Sequence, residues 1–273
     1  MSANRFVGKV AFITGAARGQ GRAEAVRLAS EGADIIAIDA CADFDSTAYD
    51  GATEADLAET VAQVEAQGRK IVATKTDVRD FAAVSEALAT GIAALGRLDV
   101  VVANAGICSG AMSWEITPEQ WQETLDVNLT GVFHTCKAAI PHLIEQGEGG
   151  SIVITSSVAG LRGLPFLGHY VASKHGVTGL AKTLAVELGA HNIRVNTVHP
   201  NGVDTGMQVN DMHALVQEYA TTLAPIFMGS LPDQISRPED IANAVAWLAS
   251  DEGPARHRHP AARRPRDSHP LRH

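Results

Sequence analysis

Six short β-branched runs alternate with longer helical patterns along this chain, and that alternation limits what it can fold into. The runs lie at 9–14 (KVAFIT), 34–39 (DIIAID), 71–76 (IVATKT), 98–103 (LDVVVA), 151–155 (SIVIT) and 193–198 (IRVNTV). Helical periodicity falls near 20–31, 53–67, 80–95, 117–146, 169–189 and 237–250. Near-continuous apolar strands of this kind are buried on both faces, so they belong to a parallel sheet covered by helices. Repeated β–α order with right-handed crossovers predicts an α/β fold, a doubly wound parallel sheet with helices on both faces. One unit over residues 1–250 accounts for the pattern, without linker or internal repeat. Ligands in such sheets bind at the carboxyl ends of the strands, where strand order reverses.

The first strand runs directly into Thr14-Gly15-Ala16-Ala17-Arg18-Gly19-Gln20-Gly21 and then an Ala-rich helix. Glycines there permit a tight turn and close backbone approach to a pyrophosphate, with a helix N-terminus aimed at its charge. That context makes the turn a dinucleotide site on a Rossmann-type sheet. Asp39 closes the second strand, where a carboxylate meets the adenosine ribose hydroxyls. A 2′-phosphate at about 4 Å from it would be repelled by roughly 1 to 4 kcal/mol per charge pair. NAD is therefore expected, with NADP the alternative because Arg18 is the residue type that receives such a phosphate. Asp77 and Val78 follow the third strand, and Asn104, Ala105 and Gly106 follow the fourth. Asp77 can reach adenine and the small turn lets a cofactor lie flat, although ordinary turn chemistry explains either segment alone.

Tyr170 and Lys174 stand four apart in a helical pattern, which puts both on one face. A phenol with a pKa of about 10 needs an adjacent cation to act as a base near neutrality. An ammonium at about 4 Å and an effective dielectric near 20 supplies about 4 kcal/mol toward that. Ser157 ends the fifth strand and can hydrogen-bond a substrate oxygen. Asn128 is a polar residue in an apolar helical stretch, LDVNLTGVF. Each of these also has a structural reading: core edge, solvated face, strand terminator and satisfied buried amide.

Taken together, these motifs resemble the short-chain dehydrogenase/reductase family over about residues 6–252. The resemblance implies a catalytic tetrad of Asn128, Ser157, Tyr170 and Lys174. In it Tyr170 exchanges the alcohol proton, Ser157 orients the oxygen, and Lys174 holds the ribose and lowers the tyrosine pKa. Asn128 anchors a water that relays the proton outward. The segment from Pro200 to Thr205, including Val203, matches the family's carboxamide-binding stretch, with Asn201 where glycine is more usual. GAARGQGR, IAIDACAD, VANAGI, SSVAGLRG, GHYVASKHG and HPNGVDT further resemble the mycofactocin-coupled, carveol-dehydrogenase-like branch, as does the long connection at 40–52. That branch implies tightly held NAD re-oxidised by mycofactocin, and the family implies a homodimer or homotetramer built on the helices near 117–146 and 169–189.

A formal net charge of −9 argues against nucleic acid as a partner. No apolar run is long enough for a membrane span, and no export signal opens the chain. Cys41, Cys108 and Cys136 match no metal motif and read as reduced thiols of a cytoplasmic protein. Cys108 reads as a packing residue, His169 as a helix-start residue, and no metal site is expected. Met207, Met212 and Met228, with Leu215, Leu223 and Phe227, form an apolar cover after the sixth strand. The charge-bearing feature that stands out there is the acidic pair Asp204 and Asp211. The substrate read from this is a small apolar secondary alcohol with its ketone as product. A 3-oxoacyl-carrier ketoreductase and a non-catalytic dinucleotide-binding protein are the alternatives.

Residues 251–273 hold six Arg, three acids, four His and four Pro, with no apolar periodicity. Where the family continues with a TGxxLxVDGG-like final strand, this text looks like a G+C-rich frame read out of register. An aberrant or disordered tail is expected, which would leave strand six as an exposed sheet edge and the fold weakened.

Overall fold

The computed structural model describes residues 4–207, 210–227 and 235–253, with residues 210 and 211 by backbone only. Six parallel strands form the main sheet: β1 (Val10–Thr14), β2 (Asp34–Asp39), β3 (Ile71–Lys75), β4 (Val100–Ala103), β5 (Gly150–Thr155) and β6 (Ile193–Val198). Their spatial order is β3-β2-β1-β4-β5-β6, so the winding reverses between β1 and β4. The register brings Thr14 beside Ile38, Ala103 beside Ile154 and Thr155 beside Val198, which gathers the carboxyl ends along one edge. Among the described residues β6 pairs with β5 alone.

Alternate side chains of the strands feed two apolar layers, as a pleat requires. Phe12, Ile36, Ile38, Val101, Ile152 and Ile154 enter one, with α3 (Phe81–Leu95), α5 (Gly131–Gln146) and α6 (Gly168–Glu187). Ala11, Ile13, Ile35, Ala37, Val102 and Val153 enter the other, with α1 (Gly19–Ser30) and α8 (Pro238–Ala249). Each fully buried large side chain is worth about 1.5–3 kcal/mol. The sequence also dictates the helix ends. Thr53 and Asp56 form a capping box on α2 (Glu54–Glu65), Asp80 caps α3, and Gly96 and Gly147 close α3 and α5 in the left-handed conformation.

Two stretches differ from the periodicity. The single helix expected at 117–146 is α4 (Pro118–Leu125) joined to α5 by a π-helical turn, Asp126–Thr130. Asn128 lies in that turn, pinned to another segment, which accounts for the extra residue. The connection after β6 carries a two-residue strand, β7 (Gly202–Val203), paired in parallel with β8 (Ile235–Ser236), and α7 (Asn210–Glu218) between them. The tail from residue 254, with His257 and His259, lies outside the described residues, as do Met228 and the Asp211 side chain. No helix among the described residues is long and apolar enough to cross a membrane.

Glu24, on the α1 face packed against α8, is fully buried. Neither of its carboxylate oxygens has a partner among the described residues, and burial pushes the carboxyl up to about 8. Its folded pKa is raised, so the stability it contributes is complete below the ordinary carboxylate pKa and is lost as pH rises through about 8. The expected outcome is a Tm that falls from about pH 4.5 to about pH 8 and levels off above it, with Glu24→Gln flattening the fall. Each kcal/mol recovered should read as about 2–4 °C in a chain of this size. Parallel Tm–pH curves for the two proteins would refute it.

Candidate active site

The carboxyl edge of the sheet opens into a cleft of about 470 Å³. Its floor is a clasp between the glycine-rich turn and the turn after β4. The Thr14 hydroxyl accepts the Asn104 and Ala105 N–H groups, both at 3.1 Å. The Asn104 side chain donates back to the Thr14 and Gly15 carbonyls at 3.1 and 3.3 Å. Gly15 has a φ of +67°, and a Cβ there would stand 2.8 Å from the Ala105 backbone, so only glycine fits. Behind the turn, the Thr60 hydroxyl donates to the Ala16 carbonyl and the Arg22 guanidinium to Ala17. No side chain caps the start of α1, which leaves its N–H groups and positive dipole end for an anion.

Asp39 organises the adenosine end. One carboxylate oxygen accepts the Ala17 N–H at 2.9 Å and the other the Cys41 N–H at 3.0 Å. Each retains a lone pair for a ribose hydroxyl. Arg18 donates to the Asp50 carbonyl at 2.5 Å and packs near Gly206. Asp77 accepts from the Arg79 backbone and guanidinium, a local turn, while lining the cleft with Val78. Gly19 packs against Thr205. The Gln20 side-chain carbonyl and the Thr155 hydroxyl are buried without a partner among the described residues, and both residues line the cleft. An orphaned acceptor, an orphaned hydroxyl and an uncapped helix start fit a polar dinucleotide.

At the other end, α6 carries Tyr170 and Lys174 with the ammonium 5.5 Å from the phenol ring centroid. Lys174 is 3 % exposed, and its Nζ donates to the Thr155 carbonyl at 2.8 Å. Burial lowers its pKa to about 8. The phenol moves the other way: burial drives Tyr170 well above the ordinary tyrosine value, with Ser157 acting weakly in the opposite direction. The depression expected from Lys174 alone is thus outweighed by desolvation. Ser157 starts a 3-10 turn; its hydroxyl accepts the Ala159 N–H at 3.1 Å and reaches the Pro200 carbonyl only at 3.4 Å. That long bond leaves it free to turn toward a substrate.

Asn128 does not line the cleft. Its side-chain oxygen accepts the Ile107 N–H and its nitrogen donates to the Ile107 carbonyl, both at 2.8 Å, with Ser173 beyond. These bonds to both backbone groups of Ile107 hold the segment after Gly106, and the side-chain oxygen retains a lone pair. Gly21 also packs behind the cleft, where a Cβ would overlap the Gly15 carbonyl. The remaining cofactor candidates, Pro200, Val203 and Thr205 included, line it. Asn201 lines it too without a positive φ, so this backbone tolerates the missing glycine. His169 is buried and hydrogen-bonds Ser109 at 2.8 Å. Burial pushes the Cys108 thiol up to about 12, which makes it inert.

Three contributions are not assigned in the sequence reading. Thr14 holds the clasp. His199 must donate through Nδ1 to the Ser157 carbonyl at 2.9 Å and accept from Thr197. Tyr49 lines the cleft and accepts the Cys108 N–H at 3.1 Å. A lone threonine, histidine or tyrosine has no periodic signal, so only the fold reveals these pairings.

A dinucleotide cradle that shares its cleft with a half-buried phenol and a buried ammonium defines a nicotinamide-type oxidoreductase. The chain belongs to the short chain dehydrogenase family, whose model matches residues 9–215. It is similar to the crystal structure of a short chain dehydrogenase from Mycobacterium paratuberculosis bound to NAD, at 50 % identity and a TM-score of 0.88 over 91 % of this chain and 93 % of that one. Carveol dehydrogenase from Mycobacterium avium in complex with NAD gives 51 % identity and a TM-score of 0.86 over the same shares. The (−)-trans-carveol dehydrogenase of Rhodococcus erythropolis is 42 % identical over 91 % of this chain and 93 % of its own length.

Tyr170→Phe is expected to abolish turnover, by at least about a hundredfold as for a lost acid–base group, while NAD binding measured by calorimetry survives. Near-normal turnover would reject the phenol's role. Asp39→Ala should narrow the preference for NAD over NADP in the same titrations, and equal affinities in the intact protein would refute the carboxylate's part.

Proposed function

We propose that this chain is a NAD-dependent alcohol dehydrogenase acting on a small apolar secondary alcohol, with the cofactor held rather than freely exchanged. The observation that carries the reading is the meeting of Tyr170, Lys174 and Ser157 in one cleft with the glycine-rich cradle. When bound, the nicotinamide supplies hydride transfer at the carbinol carbon and a positive charge beside the phenol. Tyr170 takes the alcohol proton, and the Ser157 hydroxyl turns from Pro200 to orient the substrate oxygen. Lys174, fixed by the Thr155 carbonyl, holds the ribose and presents its charge to the phenol. Asn128 keeps the backbone of Ile107 in place beside them, as a positioning residue.

The substrate end of the cleft is lined by Val158, Leu164, Leu167, Met207, Met212 and Phe227. Among the described residues the lining cations of the cleft are Arg18 and Lys174, both of which already have partners, which disfavours an anionic acyl carrier. An alicyclic or terpenoid alcohol suits such a wall. Residues 40–52 extend over the adenosine end, which supports a trapped cofactor re-oxidised in place, with mycofactocin as the acceptor. Trp121, Phe133, Ile144 and Val186 are exposed on α4, α5 and α6 and favour a homo-oligomer through those helices. Three free, buried thiols suit a reducing cytoplasm.

The test is to dialyse the purified protein, denature it, and assay the released dinucleotide. NAD in near-stoichiometric amount, with reduction of an artificial acceptor by the dialysed protein and alcohol alone, is the expected result. Deleting the insertion should let the cofactor wash out. A cofactor-free protein that turns over only with added NAD would overturn the held-cofactor reading.

A further inference from the structure

The insertion after β2 is a self-closed loop rather than an open connection. Gly51 donates its N–H to the Asp43 carboxylate at 2.7 Å, and a Cβ on Gly51 would collide with the Ala42 carbonyl. The Thr47 hydroxyl meets the Phe44 and Tyr49 carbonyls, both at 3.1 Å. Compact loops of this type keep their shape and act as one body. External contacts then fix where that body sits. The Ser46 N–H donates to the Glu123 carboxylate at 2.8 Å on α4. The Arg79 guanidinium covers the Phe44 ring at 5.0 Å. Arg18 holds the Asp50 carbonyl.

The remaining contact reaches furthest into the catalytic end. The Tyr49 hydroxyl accepts the N–H of Cys108, two residues beyond Gly106, where a Cβ would stand 3.5 Å from Lys174 Nζ. Asn128 clamps Ile107, the residue between, through both backbone groups. The Cys108 N–H therefore sits on a rigid mount. Arg18 and Tyr49 thus tie one loop to opposite ends of the cleft, the phosphate turn and the catalytic turn. The phenol spends only a lone pair on Cys108, so its O–H can still donate.

We propose that Tyr49 is a positioning residue for the dinucleotide: by bonding Cys108 across the cleft, its phenol oxygen latches the insertion and slows cofactor release. This rests on the held-cofactor reading and deepens it to one atom. The burial that pushes the Tyr49 phenol up to about 12 keeps it protonated, so the latch is indifferent to pH in the physiological range.

The experiment compares the intact holoenzyme with Tyr49→Phe, which keeps the ring and removes the oxygen. Both are loaded with labelled NAD, chased with unlabelled NAD, and followed by rapid filtration; Tm is measured on the cofactor-free proteins. The expected result is release about five- to tenfold faster in the variant, the factor of one net hydrogen bond, with cofactor-free Tm values equal within about a degree or two. Tyr49→Ala, which removes the ring as well, should release faster still. Equal release rates in wild type and Tyr49→Phe overturn the latch while leaving held cofactor intact. Faster release matched by a large loss of cofactor-free Tm also overturns it, because the oxygen would then serve folding. Rapid exchange in the wild type would sink the held-cofactor reading, and the ratio of the two rates would still decide for or against Tyr49.

Discussion

The clasp between Thr14 and Asn104 is the contact on which the site depends. A parallel sheet whose order reverses between β1 and β4 sends consecutive crossovers to opposite faces, which parts the two turns at its carboxyl edge. Left alone, those turns would be independent loops with unspent backbone groups. One hydroxyl accepting two N–H groups, and one amide donating to two carbonyls, joins them into a single floor. Gly15 must be glycine because the clasp brings Ala105 within 2.8 Å of where its Cβ would be. The phosphate end and the catalytic end thereby share one rigid frame.

Burial sets the electrostatics on that frame. The same desolvation pushes Tyr170 up and Lys174 down to about 8, so the protein alone keeps the phenol protonated and weakens the hold of Lys174 on its proton without removing the charge. The neighbouring ammonium does not reverse this, since its short hydrogen bond goes to Thr155 and it stands 5.5 Å from the ring. A phenolate in this cleft needs further positive charge beside it. In the proposed reaction an oxidised nicotinamide bound in the cleft would supply that charge, so that activation of Tyr170 would depend on the hydride acceptor being present.

Much of this was legible in the residues. Buried parallel strands announce themselves as β-branched runs, and β2 and β6 fall on the residues expected. Gly15, Asp39, Asn104, Ser157, Tyr170 and Lys174 all meet in one cleft because each follows a strand end or shares a helix face, which spacing alone conveys. The π turn was not legible, since LDVNLTGVF keeps helical periodicity and the extra residue arises from Asn128 reaching Ile107 across the fold. Asn128 is a hydrogen-bonded buried amide, and its partner, Ile107, is visible only in the fold. Thr14, His199 and Tyr49 escaped for the same reason: their partners lie 90, 42 and 59 residues away in the chain.

The insertion shows how a chain adds control without altering its catalytic frame. Asp39 is the last residue of β2 and the first anchor of the loop, accepting from both Ala17 and Cys41. Any body attached immediately after it must start beside the adenosine end of the cleft. A short connection would leave at once for α2; thirteen residues allow the chain to close on itself and return. Because loop closure costs grow only slowly with length, such an addition is thermodynamically cheap once its internal bonds are made. Its contacts are made with groups outside the loop: the Arg18 side chain, the Glu123 carboxylate and the Cys108 N–H. A loop held only by the frame's own ordered groups can open without disturbing them. Under the proposed latch, cofactor residence and bond-making chemistry would be set by separate residues on one sheet edge.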